Sequence, residues 1–268
     1  DEDRTRCLYV IGKNGTGKST LIEQMIDQDM RQGTGVCLFD PHGDLTGDLL
    51  YRIPQHRLSH VRYLDLERAN FGVNLFQCAD PRNPLEIGRT CDQVMQVFGK
   101  LFPELSQTHL LERVLRNVSL TLIYNPGTSM ADIPALLTDA AYQARLLSGV
   151  RNPTVRQFWA EYDRQPPASR DQFWRQPLLT RIDKFLSNEL VWRIVRHPET
   201  SIDFRRAMDE GQLVFIRLSA ELEESTTLIG SVLLFQLLNA ALSRKDVPRD
   251  ERRQFNVYAD EYHRFQTP

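Results

Sequence analysis

Apolar positions follow two kinds of pattern along this chain. Towards both ends they form short, β-rich runs: Cys7 to Ile11, Val36 to Asp40 ("VCLFD"), His60 to Asp65 ("HVRYLD"), Leu213 to Leu218 ("LVFIRL") and Phe255 to Ala259 ("FNVYA"). Apolar runs of this length, bounded by turn residues or acids, predict buried strands. After the first run, Leu21, Ile22, Met25 and Ile26 recur at helical spacing within Thr20 to Met30. Strand and helix in alternation predict an α/β fold built on a mostly parallel sheet.

From about Pro81 to Phe204 the strand-like runs disappear. Helical spacing is expected over Leu85 to Leu101, His109 to Tyr124, Ile133 to Leu147, Val155 to Tyr162 and Leu178 to Val195. In the last of these, Leu179, Ile182, Leu186, Leu190 and Ile194 line one stripe. Phe185 and Trp192 lie beside it, and Trp192 is expected to be substantially buried. Pro153 and Pro166–Pro167 punctuate the connections. The pattern divides the chain into residues 1–80 (first part of an α/β core), 81–204 (an all-helical insertion) and 205–268 (second part of the core). A long helix is expected from about Thr226 to Arg244. Its apolar run, Leu228 to Leu242, is broken by Ser231, Gln236 and Asn239 and reads as a buried helix too short and polar for a bilayer.

At 268 residues the chain is long enough for one large core or two modest ones. Its net charge of −2 supplies no global basic field for nucleic acid, although a local patch or a pore remains open. Cys7, Cys37, Cys78 and Cys91 have neither C-x-x-C pairing nor metal-ligand spacing, which fits reduced thiols and a cytoplasmic location. No signal-peptide pattern is present. Strand-like runs lie close to both ends, so a piece of a longer protein is expected, with membrane anchoring left to its flanks.

The chemistry enters between the first run and the first helix. Gly12, Lys13, Asn14, Gly15, Thr16, Gly17, Lys18 and Ser19 fit the phosphate-loop pattern G-x-x-x-x-G-K-[ST], with Thr20 following. The glycines let backbone N–H groups turn inward around phosphate oxygens, and the helix start adds its own N–H groups and dipole. Lys18 is expected on the β- and γ-phosphates of ATP, and Ser19 on Mg2+. At the other end, "FNVYA" runs into Asp260–Glu261. An apolar strand ending in two acids is the expected partner of such a loop. Asp260 would hold the Mg2+ shell and Glu261 would polarise the attacking water. "DEYH" spells the DExH box of certain helicases, but nearly the whole chain separates it from the glycine loop, which argues against that class.

Five blocks in order, "IGKNGTGKST", "FDPHGDL", "IDFRRAMDEGQLVFIRLS", "IGSVLLFQLLNAALSR" and "FNVYADEYHRF", resemble the HerA–FtsK superfamily of P-loop motors. Within it they are most similar to type IV secretion coupling proteins and related DNA-transfer ATPases. The resemblance implies a RecA-like P-loop NTPase fold with an all-helical insertion, a homo-hexameric ring and ATP-driven movement of DNA through its pore. It carries Gly12, Gly15, Gly17, Lys18, Ser19 and Thr20 over as the nucleotide loop, and Asp260 and Glu261 as the metal and water-activating acids. Asp40 matches the acid of the D-P-x-G block and is expected to face the nucleotide cleft. His42 lies in the same block, as either a turn residue or a functional one. The chain departs from the pattern at His263, where relatives often carry Gln, and at the acidic loop "SAELEES", which argues against a DNA or phosphate contact there. The sensor strand of the superfamily is expected beyond Pro268. Arg217 is the best candidate for an arginine donated between subunits, against a plain ion pair at a strand end.

In the insertion, basic residues from Arg151 to Arg196 interleave with Phe158, Trp159, Phe173, Trp174 and Trp192, a composition that can serve single-strand binding. Glu161, Asp163, Asp171, Asp183 and Glu189 lie among them, and the tryptophans have core spacing, so a solvated surface over an apolar core is the better reading. Three functions follow: a DNA-translocating ATPase of the coupling-protein type, a secretion-assembly ATPase acting on protein, and a nucleotide-gated structural module that hydrolyses ATP slowly. Partners in a membrane or secretion complex, at the cytoplasmic face of an inner membrane, would engage through the flanks.

Overall fold

The structure is a computed structural model that describes residues 7–13 and 15–262. The expectations for Asn14 and His263 fall outside these residues.

Four strands form one parallel sheet: β1 (Gly35–Asp40), β2 (Val61–Asp65), β3 (Leu213–Arg217) and β4 (Phe255–Ala259), in the order β2-β3-β1-β4. Register is set by Val36 opposite Leu213 and Leu38 opposite Phe215, with Val36 opposite Asn256 on the other side. The central strands are apolar on both faces because both faces are covered. On one face Val36, Leu38, Leu213 and Phe215 pack with Ile26 and Met30 of α1 (Lys18–Gln32) and with Leu45 and Leu49 of α2 (Asp44–Leu50). On the other, Cys37, Phe39, Val214 and Ile216 join the large core of the helical region.

Residues 7–11 correct the sequence reading. They form no strand, and Leu8, Tyr9 and Ile11 are 67%, 75% and 83% exposed. Strand propensity is satisfied by a neighbour, and no described strand pairs with this segment. The outer side of β4 likewise carries no further described strand, and Val257 is 44% exposed. β4 is nonetheless tied inward: buried Asp29 of α1 accepts hydrogen bonds from Asn256 Nδ2 (2.6 Å) and from the Tyr258 hydroxyl.

Between β2 and β3 the chain is helical: α3 (Pro84–Leu101), α4 (His109–Ile123), α5 (Ile133–Thr138), α6 (Ala140–Gly149), α7 (Pro153–Arg164), α8 (Pro167–Ser169), a π-helical turn (Arg170–Arg175), α9 (Gln176–Leu186) and α10 (Glu189–Val195). Its entering and leaving segments are fastened together: the Val73 amide donates to the Ile194 carbonyl at 3.0 Å, and the Gly72 amide to Ser201 Oγ at 2.6 Å. Asn74 Nδ2 bridges the Thr128 and Pro198 carbonyls at 2.9 and 2.6 Å. After α11 (Phe204–Glu210) and β3, α12 (Glu223–Ser243) crosses this junction, where Gln236 Nε2 donates to the Asn74 carbonyl at 3.1 Å.

Two expected helices are each broken, and one side-chain type explains both breaks. Asp139 accepts from the Ala141 and Tyr142 amides (2.9 and 3.1 Å), ending α5 and starting α6. Asn188 does the same for Leu190 and Val191 (3.0 and 3.2 Å), separating α9 from α10. These are N-caps, which satisfy the first-turn N–H groups of a new helix. The second break resets the phase of the apolar stripe. Its buried members are Leu178, Ile182 and Phe185, then Val191, Ile194 and Val195. Trp192 therefore turns outward, 36% exposed, with the Arg196 guanidinium 4.4 Å from its ring centre. The expectation that Trp192 is substantially buried is thereby corrected.

Trp159, Phe158, Tyr162 and Trp174 do form a buried aromatic cluster. Over it, Arg113 pairs with Glu161, and Arg175 with Asp171. The insertion thus has a charged, solvated surface above an apolar core. The Trp159 indole N–H donates to Thr121 Oγ1 at 2.8 Å. Trp159→Ala is expected to cost about 3–5 kcal/mol by cavity formation. Trp192→Ala should cost clearly less. Urea denaturation of both variants checks this, and equal losses would contradict the burial assigned to each.

By length and composition Glu223–Asp246 is long and apolar enough to cross a membrane, longer than the apolar run alone suggested, and half of its apolar window is buried. Leu228, Ile229 and Leu233 are fully buried in the core, the packing expected of a core helix.

Candidate functional site

The glycine loop leads directly into α1. Gly15 (φ 78°) and Gly17 (φ 85°) both have left-handed backbone, which a Cβ would strain. Gly17 occupies the cap position of α1. A Cβ on Gly12 would stand 2.6 Å from Thr16 Oγ1, so glycine is needed there for space. The Thr16 hydroxyl donates to the Lys13 carbonyl at 2.8 Å and closes the loop. Lys18 Nζ donates to the carbonyls of Gly12 and Lys13, both at 2.9 Å, which folds the ammonium back over the loop. The first turn of α1 carries no acid and no side-chain cap, and Ser19 and Thr20 are exposed there. Such a terminus keeps its N–H groups and positive dipole end for an anion.

Only Gly33 and Thr34 connect the end of α1 to β1, and the two pack together. The helix therefore runs antiparallel to the strand, and its N-terminus lies on the side of the sheet where the strands end. Asp40 ends β1 on that side, and Asp260 follows β4. The Asp260 amide donates to the Phe39 carbonyl at 3.1 Å, fixing the acid beside the end of β1. Burial pushes the Asp260 carboxyl above its ordinary range. The charges of Asp40 and Glu261 push the same way, while the Glu261 amide (3.1 Å from Asp260 Oδ1) and His42 pull it down. A cation would relieve this repulsion, so the acids suit a divalent metal.

Asp40 is at the expected end of the sheet, but its carboxylate serves the backbone. It is buried and accepts from the amides of His42 (3.1 Å), Gly43 (2.8 Å) and Thr46 (2.7 Å). It thereby builds the turn into α2. That turn presents a residue whose role the sequence left open: His42 Nε2 lies 3.2 Å from Glu261 Oε1. Glu261 has φ 49°, a left-handed conformation unusual for a residue with a side chain. The "PHGDL" block and the "DE" pair each carry a signal in the sequence, but their contact across the sheet does not. Arg217 sits in an ion pair within the chain, with Asp65 at 3.3 Å and Glu67 at 2.8 Å. Among the described residues no three acidic, histidine or cysteine side chains converge as a metal cage. Phosphate-bound Mg2+ needs fewer: one or two carboxylates, with phosphates and water completing the shell.

Residues 2–237 match the family described as "Helicase HerA, central domain". The chain belongs to this family. The match runs from the glycine loop into α12 and stops before β4 and the acid pair. No curated protein matches this HerA-family chain at a significant level. Among solved structures, the bacterial conjugative coupling protein TrwBΔN70, in its unbound monoclinic form, aligns with a TM-score of 0.55 at 19% identity. The alignment covers 92% of this chain and 53% of that one, so the chain spans about half the length of the coupling protein it matches. The fold is the α/β P-loop fold, of HerA–FtsK type, and it resembles that of the coupling protein.

Proposed function

We propose that this chain is the ATP-hydrolysing motor domain of a DNA translocase of the coupling-protein type. The observation that carries the reading is the acid pair Asp260–Glu261, fixed at the strand ends on the side where the glycine loop opens α1. The loop amides and Lys18 bind and orient the phosphates. Ser19 and Asp260 would hold Mg2+, which supplies charge neutralisation at the transferred phosphoryl group. Glu261 takes a proton from the attacking water at its carboxylate. The all-helical region, 81–204, stands as an insertion between the two parts of the motor core.

DNA is the proposed substrate, and a homo-hexamer the working assembly, with further partners engaged through flanking regions, in the cytoplasm or at the cytoplasmic face of an inner membrane. The loop after β3 favours a second reading, movement of protein. Glu221, with Glu223 and Glu224 in the first turn of α12, makes it acidic, and Glu224 is met by Lys184 at 3.4 Å. Steady-state ATPase assays on a chain extended at both ends separate the two. The first reading expects turnover to rise several-fold with DNA, with a steep loss of stimulation as salt increases. Stimulation by protein substrate alone would support the second, and a rate unchanged by any ligand would leave only a slow nucleotide-gated module.

A further inference from the structure

We infer that His42 is a positioning residue for Glu261, holding the carboxylate in the heading from which it meets water; this rests on the assignment of Glu261 as the base. Three features of the molecule converge on it. The ring is within hydrogen-bond distance of the acid, Nε2 to Oε1 at 3.2 Å. With its proton on Nε2 the neutral imidazole donates, so the contact needs no charge on the ring. The backbone that carries the ring is anchored: Asp40, buried, takes the amides of His42 and Gly43 on one oxygen. Gly43 has φ 84° and leaves no room for a Cβ against Arg217, whose guanidinium is held by Asp65 and Glu67. The turn bearing His42 is therefore fixed to the ends of β1, β2 and β3 together.

Glu261 is placed differently. It lies just past the end of β4, in left-handed backbone, with its side chain one-third exposed. A strained backbone persists where the surroundings over-determine it. Tying one oxygen to the ring fixes the plane of the carboxylate and thereby the direction of the other. A base oriented by a third group is a recurring arrangement in catalysis. Here the third group comes from the strand next to the acid strand, through a turn that Asp40 builds. This gives the D-P-H-G segment a task at the reacting centre that Asp40, occupied by backbone donors, does not itself perform.

The test is a double-mutant cycle on kcat, with ATP affinity followed by calorimetry and folding by thermal melting. His42→Ala is expected to lower kcat about ten- to a hundredfold, the scale for losing an outer-shell partner, with ATP affinity and melting midpoint unchanged. His42→Gln, whose amide nitrogen can reach the same oxygen, should recover most of the loss. In a Glu261→Gln background, His42→Ala should add nothing. Wild-type kcat in His42→Ala, or a loss that is the same with and without Glu261, would overturn the positioning role alone. Wild-type turnover in Glu261→Gln by itself would overturn the assignment of the base, and this inference with it.

Discussion

Lys18→Ala is expected to abolish ATP turnover and to weaken ATP binding roughly ten- to a hundredfold, while the fold survives. The lysine opens α1, and among the described residues its ammonium reaches the carbonyls of Gly12 and Lys13. It makes no contribution to the apolar core on this face of the sheet, to which the helix supplies Ile22, Ile26 and Met30. Removing it therefore leaves packing intact and even adds helix propensity. What is lost is a full positive charge within reach of the phosphates. A hydrogen bond involving an ionised group contributes about 1.5–3 kcal/mol, which sets the size of the affinity loss. Calorimetric titration with Mg-ATP checks it. Binding at wild-type strength would show that phosphate is held elsewhere and would remove the glycine loop from the site.

The parts of this molecule that could be read from sequence are those whose pattern is fixed by local geometry. Val36 to Phe39 alternate between two covered faces, so an uninterrupted apolar run marks a central parallel strand. The glycine loop is legible because Gly15 and Gly17 need left-handed backbone and Gly12 needs space. What was not legible depends on partners distant in the chain. Cys7 to Ile11 has the composition of a buried strand, but no described strand adjoins it. Asn188 looks like a polar residue on an amphipathic helix; only its role as a cap shows that the helix restarts and that Trp192 faces out. The resemblance marks Asp40 as a cleft acid, but not that its carboxylate also accepts three backbone amides. The His42–Glu261 contact joins residues 219 positions apart, a separation across which no periodicity carries information.

Glu261→Gln should separate binding from chemistry. The amide has nearly the shape of the carboxylate, and its carbonyl oxygen can still accept from His42 at the present 3.2 Å position. The left-handed backbone at this residue is no harder for glutamine than for glutamate. The substitution therefore removes the proton acceptor and little else. A contact that strengthens in the transition state raises kcat without being needed to bind the ground state. Turnover is expected to fall by roughly two to four decades, the scale of a general base, with Mg-ATP affinity retained. Asp260→Asn should behave differently. Burial and the neighbouring charges of Asp40 and Glu261 hold the Asp260 carboxyl above its ordinary range, a cost that a bound cation offsets. Neutralising it should shift the Mg2+ concentration needed for turnover upward and weaken ATP binding only when Mg2+ is present. Magnesium titrations of the ATPase rate, run beside ATP affinity measured with and without Mg2+, distinguish the two. Identical behaviour of the two variants in both assays would mean that the acids act as one charged group, and the division between metal holder and base would be wrong.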